Sequence, residues 1–254
     1  MWEQHLVGGK IGLTRANGFD PSLPSILLIH GSGGYKELYN HQIIGLRGRA
    51  NVAAIDLPGH GQTAGPGFRQ VEPYAQWLAD FLAAGPVRPV VLGHSLGGAV
   101  ALQLGLDHPE LASGLVLMGS GGRLRVMPQF LQGLKENFAA TIQGGLGFAY
   151  APDADAAMVA EGVRKMLQTP AELVWGDFSA CDAFDVTPRL GQIDLPALAL
   201  VGSEDRMTPP KYSQYLAQHM PRCAFKQIDG GGHMLNIEKP AEVNQALIEF
   251  LAQF

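Results

Sequence analysis

Cysteine is nearly absent. Only Cys181 and Cys223 occur among 254 residues. They form no C-x-x-C pair, so neither a disulfide framework nor a dithiol motif is expected. No cluster of His and Cys has zinc-ligand spacing, and no metal site is expected. Charge is also scarce. Charged residues make up 16% of the chain, and the net charge is −5 without long runs of one sign. Phosphate binding needs a basic face, so a nucleic-acid partner is not expected. No stretch approaches about 20 consecutive apolar residues, which argues against a membrane-spanning helix. The opening MWEQHLVGGK lacks a basic start followed by an apolar run, so a secretory leader is not expected. A reduced, cytoplasmic setting and a small-molecule substrate fit these absences best. Oligomeric state is not readable.

What is abundant is apolar sequence, 46% of residues, with 33 glycines. The apolar residues come as short runs: Ser25–His30, Val52–Leu57, Val90–Gly93, Gly114–Gly119, Ala197–Gly202 and Ala224–Asp229. Several are apolar at nearly every position, as in strands buried on both faces of a parallel sheet. Helical spacing lies between them. In Glu72–Ala84, Trp77, Leu78, Phe81 and Leu82 recur on one face, and Pro73 suits a first turn. The last segment opens at Pro240 and aligns Val243, Leu247, Phe250 and Leu251. This alternation predicts an α/β fold with helices on both sheet faces. HLVGGKIGLTRANG, residues 5–18, is too short for a crossover helix and suits an antiparallel hairpin on the sheet edge. From residue 121 to 187 no strand pattern appears. MPQFLQGLKENFAATI and DADAAMVAEGVRKMLQT are the best helix candidates there. The expected division is a core of residues 1–120 and 188–254, with 121–187 inserted as a helical lid.

In such sheets ligands bind beyond the carboxyl ends of the strands. Those ends read HGSGG from His30, DLPGHGQT from Asp56, GHSLGG from Gly93, GSGGR from Gly119, GSEDRMTPP from Gly202 and GGGHM from Gly230. GHSLGG fits G-x-S-x-G, a strained turn that lifts a serine hydroxyl clear of a sheet. Shuffling this composition would give about 0.15 such matches, so the flanking strand and helix carry the argument. Ser95 is the candidate nucleophile. A serine hydroxyl needs a base, and His233 in GGGHM is the candidate. The base needs a carboxylate to orient it. Asp205 is the candidate and Glu204 the weaker rival. The order Ser, Asp, His is the one expected for this topology. An oxyanion needs donors. The Leu96 amide is one, and the Ser32 amide is the other, with Gly33 as the alternative. HGSGG is not a phosphate loop, because Lys36 stands where a third glycine would fall.

Five of these segments, HGSGG, DLPGHGQT, GHSLGG, GSEDRMTP and GGGHM with the helix after it, resemble the α/β-hydrolase fold family over nearly the whole chain, most of all small bacterial carboxylesterases and enol-lactone hydrolases with a modest helical lid. The resemblance implies a mostly parallel eight-stranded sheet. It also implies hydrolysis of small carboxylic esters or lactones through an acyl-enzyme, without cofactor. Ser95 stands where dehalogenases and epoxide hydrolases of this fold carry aspartate. The same triad also serves C–C bond hydrolases and perhydrolases, and ligand-binding regulators with slow turnover keep it too. His94, His30 and His60 read as structural braces. Arg123 and Arg125, at the entrance to the insertion, are solvated or bind an acidic substrate group. Met118, Met127, Met158, Met166, Met207 and Met234 are candidates for an apolar acyl pocket, or core filler.

Overall fold

The computed structural model describes residues 11–15 and 18–254. Among the described residues seven strands form one sheet: β1 (Leu13–Arg15), β2 (Ser25–Ile29), β3 (Asn51–Ile55), β4 (Val90–His94), β5 (Gly114–Met118), β6 (Ala197–Gly202) and β7 (Cys223–Ile228). Their spatial order is β1-β3-β2-β4-β5-β6-β7. β1 runs antiparallel to β3 at the edge, and every other pairing is parallel. Eight strands were expected. The other half of the N-terminal hairpin, which would supply the eighth, falls on residues 5–10, outside the described ones.

Period two divides each buried strand between two cores. Leu27, Ile29, Val91 and Leu117 point to one face. There they meet α2 (Val71–Ala83) and α3 (Leu96–Asp107), through residues such as Leu78 and Leu102. Ile26, Leu28, Leu92 and Val116 point to the other. That face is covered by α1 (Asn40–Gly45) and the C-terminal helix, with Val243, Leu247 and Phe250 buried. Both faces are sealed, so strands without polar alternation are the stable solution.

Four helices lie between β5 and β6: α4 (Pro128–Glu136), α5 (Phe138–Gly145), α6 (Ala156–Met166) and α7 (Ala171–Ala183). Leu134, Ile142, Val174 and Phe178 give them a small core of their own. The run read as one helix from Met127 breaks at Asn137, whose side chain accepts the Ala140 amide at 3.2 Å. An N-cap of this kind starts a new helix rather than continuing the old one. α8 (Pro210–His219) connects β6 to β7, and α9 (Leu235–Glu238) and α10 (Pro240–Leu251) close the chain.

Candidate active site

β4 ends at His94 and α3 begins at Leu96, leaving Ser95 alone at the bend. Its φ is 53° and its ψ −115°. Among the described residues it is the one non-glycine with positive φ. Such strain persists only where the surroundings over-determine it. Here they do. A Cβ on Gly93 would lie 2.0 Å from the Gly97 carbonyl oxygen, so only glycine lets α3 fold back on β4. A Cβ on Gly97 would lie 2.5 Å from the Ile29 carbonyl oxygen, at the end of β2. The second glycine thus serves the approach of helix to neighbouring strand, more than the bend itself. The Ser95 amide donates to Met118 O at 3.0 Å, and the Ser120 hydroxyl donates to Ser95 O at 2.9 Å.

Asp205 follows β6 and His233 follows β7, and both side chains are buried. His233 Nδ1 lies 2.9 Å from Asp205 Oδ2. The Thr208 hydroxyl donates to the same oxygen at 2.8 Å and lies 3.1 Å from His233 Nδ1. Asp205 Oδ1 accepts the amides of Met207 at 2.9 Å and Thr208 at 2.8 Å. Burial alone would raise the Asp205 pKa. The His233 charge and these hydrogen bonds outweigh it, and the carboxyl is held below its ordinary value. An ionised Asp205 only accepts, which places the proton on His233 Nδ1 and leaves Nε2 as the basic nitrogen. Glu204 is exposed, and the Ser203 hydroxyl lies 3.4 Å from its Oε1. The Ser95 hydroxyl is not hydrogen-bonded to His233 in this geometry, although both line one cavity. Such bonds often tighten only around substrate.

The His30–Gly34 turn lies against the same cavity. The Gly33 amide is already taken: it donates to Asp177 Oδ2 at 2.7 Å. That removes Gly33 as the alternative oxyanion donor. The Ser32 amide has no protein acceptor among the described residues. The Leu96 amide, first in α3, is one of those that a helix leaves unpaired. Three histidines support this region. His30 donates through Nδ1 to Gly31 O at 2.8 Å and accepts the Leu57 amide at Nε2, 3.0 Å away. His94 Nε2 lies 2.9 Å from His233 O. Burial pushes both of these rings down to a pKa of about 3. His60 instead faces Asp177 Oδ2 through its Nε2, 2.8 Å away.

The cavity is small, about 70 Å³. Apolar walls come from Leu38, Leu146 and Phe178, with Met166, Met207 and Met234. The other three candidate methionines are elsewhere: Met118 is in the sheet core, Met127 is exposed, and Met158 lies on α6 away from the lining. Arg123 and Arg125 are not brought to Ser95. They line a separate hollow with Lys211 and Tyr212, and Arg123 pairs with Asp185 at 3.2 Å. Ala149 and Tyr150 line the cavity, and the segment around them, residues 147–151, is stitched to both the acid and the histidine loops. Arg206 donates to Gly147 O at 3.0 Å and Tyr150 O at 2.9 Å. The Met234 amide donates to Ala149 O at 2.9 Å, and the Ala151 amide to Glu238 Oε2 at 2.8 Å.

The sequence between residues 26 and 246 matches the model of the alpha/beta hydrolase family. The chain belongs to that family. A pimeloyl-[acyl-carrier protein] methyl ester esterase from Neisseria meningitidis is 30% identical over 234 residues, 84% of this chain and 87% of that one. A thermophilic esterase of known structure is 34% identical with a TM-score of 0.88, covering 98% of this chain and 95% of that one. These relatives mark this hydrolase as esterase-type. The enol-lactonase from Burkholderia xenovorans shares the fold, with a TM-score of 0.87 at 21% identity over 96% of this chain and 97% of that one. No helix among the described residues is long and apolar enough to cross a membrane.

Proposed function

We propose that this hydrolase cleaves small carboxylic esters or lactones through an acyl-enzyme on Ser95. His233 takes the Ser95 proton as the hydroxyl attacks the carbonyl. Asp205 fixes the imidazole and stabilises the imidazolium. The Ser32 and Leu96 amides receive the oxyanion. His233 then returns the proton to the leaving alkoxide, and water frees the acyl group by the same route. A lactone is a cyclic ester and follows the same steps, with the alcohol still tethered. Residues 121–187 act as the lid, and residues 1–120 and 188–254 as the body that carries the triad.

The observation that carries this reading is the His233–Asp205 bond, made at the cavity that Ser95 lines. The small apolar cavity supports a short acyl group. The esterase relatives support ester substrates. The test is Ser95→Ala. It should abolish cleavage of p-nitrophenyl acetate and butyrate, and labelling by a fluorophosphonate. Wild-type protein that hydrolyses neither ester, while a control esterase does, refutes the reading.

A further inference from the structure

Asp177 is a carboxylate outside the triad and away from water. It lies on α7, and its side chain is 0% exposed. A buried carboxylate needs donors, and this one has three. Gly33 N–H donates to Oδ2 at 2.7 Å, and His60 Nε2 lies 2.8 Å from the same oxygen. The Tyr74 hydroxyl donates to Oδ1 at 2.6 Å. These partners come from the loop after β2, the loop after β3, and α2. One side chain from the helices between β5 and β6 therefore ties together three parts of the sheet-bearing body.

His60 balances the charge. Its Nδ1 faces Pro58 O at 3.1 Å, a group that can only accept. Its Nε2 faces Asp177. Both nitrogens carry hydrogen, so the ring is an imidazolium opposite a carboxylate. Gly33 is gripped on its other side too, since the Thr169 hydroxyl donates to Gly33 O at 3.3 Å. A Cβ on Gly33 would lie 2.4 Å from Met166 Sδ, so the turn fits closely under this segment. Across a trans peptide, N–H and C=O point opposite ways. Holding Gly33 N–H toward Asp177 therefore fixes the Ser32–Gly33 peptide plane, which the Ser32 Cα joins to the preceding Gly31–Ser32 plane that carries the Ser32 amide.

We propose that Asp177 is a positioning residue for catalysis: its bond to Gly33 holds the turn so that the Ser32 amide, not the Gly33 amide, faces the oxyanion over Ser95. This rests on the nucleophile and oxyanion assignments above. Asn at 177 offers one acceptor oxygen and an NH2 group: with the NH2 in place of Oδ2 it opposes Gly33 N–H and His60 N–H, and with the NH2 in place of Oδ1 the Tyr74 hydroxyl must turn to accept from it; either way His60 loses its counter-charge and the grip on Gly33 weakens.

The experiment compares Asp177→Asn with Tyr74→Phe, which removes one donor but leaves the Gly33 bond. For each variant, kcat and KM for p-nitrophenyl butyrate are measured, together with Tm and the affinity for a trifluoromethyl ketone, whose serine hemiketal carries an oxyanion. Asp177→Asn should lower kcat about tenfold or more with KM within about threefold, and ketone affinity should fall in parallel. Tyr74→Phe should lose stability but keep kcat within about threefold. A folded Asp177→Asn with wild-type kcat overturns the proposal. So does a loss of kcat that tracks Tm equally in both variants. Should Asp177→Asn not fold, Thr169→Val loosens the same glycine from its carbonyl side. A kcat drop of about threefold at unchanged KM then supports the proposal, and an unchanged kcat overturns it. Wild-type protein that is not phosphonylated at Ser95 would instead sink the nucleophile assignment and this proposal with it, a failure visible before any variant is made.

Discussion

His94 Nε2–H donates to the main-chain oxygen of His233, 2.9 Å away. The residue before the candidate nucleophile therefore carries the backbone of the candidate base. The two rings lie 4.6 Å apart, with His94 buried. Removing its side chain strands a buried carbonyl. His94→Ala should destabilise the fold by about 1–3 kcal/mol in urea titration. It should also reduce kcat about tenfold by loosening the base, while leaving more activity than Ser95→Ala.

Buried histidines should also shape stability against pH. His30 and His94 are pushed down to about 3 in the fold, first by burial. In the unfolded chain each takes up a proton near 6.5. Between those values the unfolded state binds more protons, so stability falls as pH drops from about 6.5 toward 3. His60 acts in the opposite sense. Burial lowers its pKa, but Asp177 more than offsets this and the net shift is upward. Its contribution is present below about 6.5 and is lost as pH rises through the raised folded value. Urea midpoints measured from about pH 4 to 9 should fall on both sides of neutrality. His30→Gln should flatten the acid limb, and an unchanged slope would contradict the assignment.

The two neighbouring carboxylates of the acid loop should behave very differently. Asp205→Asn keeps the shape but favours the wrong His233 tautomer, and kcat should fall about 10⁴-fold. Glu204→Gln, at an exposed position, should stay within about twofold. Steady-state kinetics on p-nitrophenyl acetate checks both, and a reversal of the two would reassign the acid.

Arg123→Ala and Arg125→Ala should leave KM for acidic esters within about twofold of wild type. Both line the hollow beside Lys211 and not the cavity of Ser95. A large rise in KM for acidic but not neutral esters would return them to the substrate site.

The strand ends are legible in the sequence because both sheet faces are sealed. An apolar run with no alternation has few other places to go. Each buried strand lies within one or two residues of its run, as with Ser25–His30 against β2. Glycine is legible where backbone meets backbone, as at Gly93. Within the inserted helices such signals fail. Asn137 sits inside an apolar period and reads as part of one helix, although its side chain caps the next. Asp177 is harder still. It shares the buried side of α7 with Val174 and Cys181, three residues before and four after. A lone acid at that spacing is the available signal, and its meaning depends on Gly33, His60 and Tyr74, all more than 100 residues away in the chain. The choice between the Ser32 and Gly33 amides was open for the same reason. It turns on where one amide proton goes, and no residue type encodes that.

The stitching of residues 147–151 bears on how this enzyme could be altered. Gly147, Ala149, Tyr150 and Ala151 are held through their main-chain atoms, by Arg206, Met234 and Glu238. Main-chain anchorage is indifferent to most side chains at the anchored positions. The short segment is therefore a joint whose hold on the acid and histidine loops tolerates most changes of side chain within it. The joint is carried by main-chain atoms and the cavity lining by side chains, so libraries aimed at new esters belong at lining side chains beside the joint, such as Leu146, rather than at the strand ends.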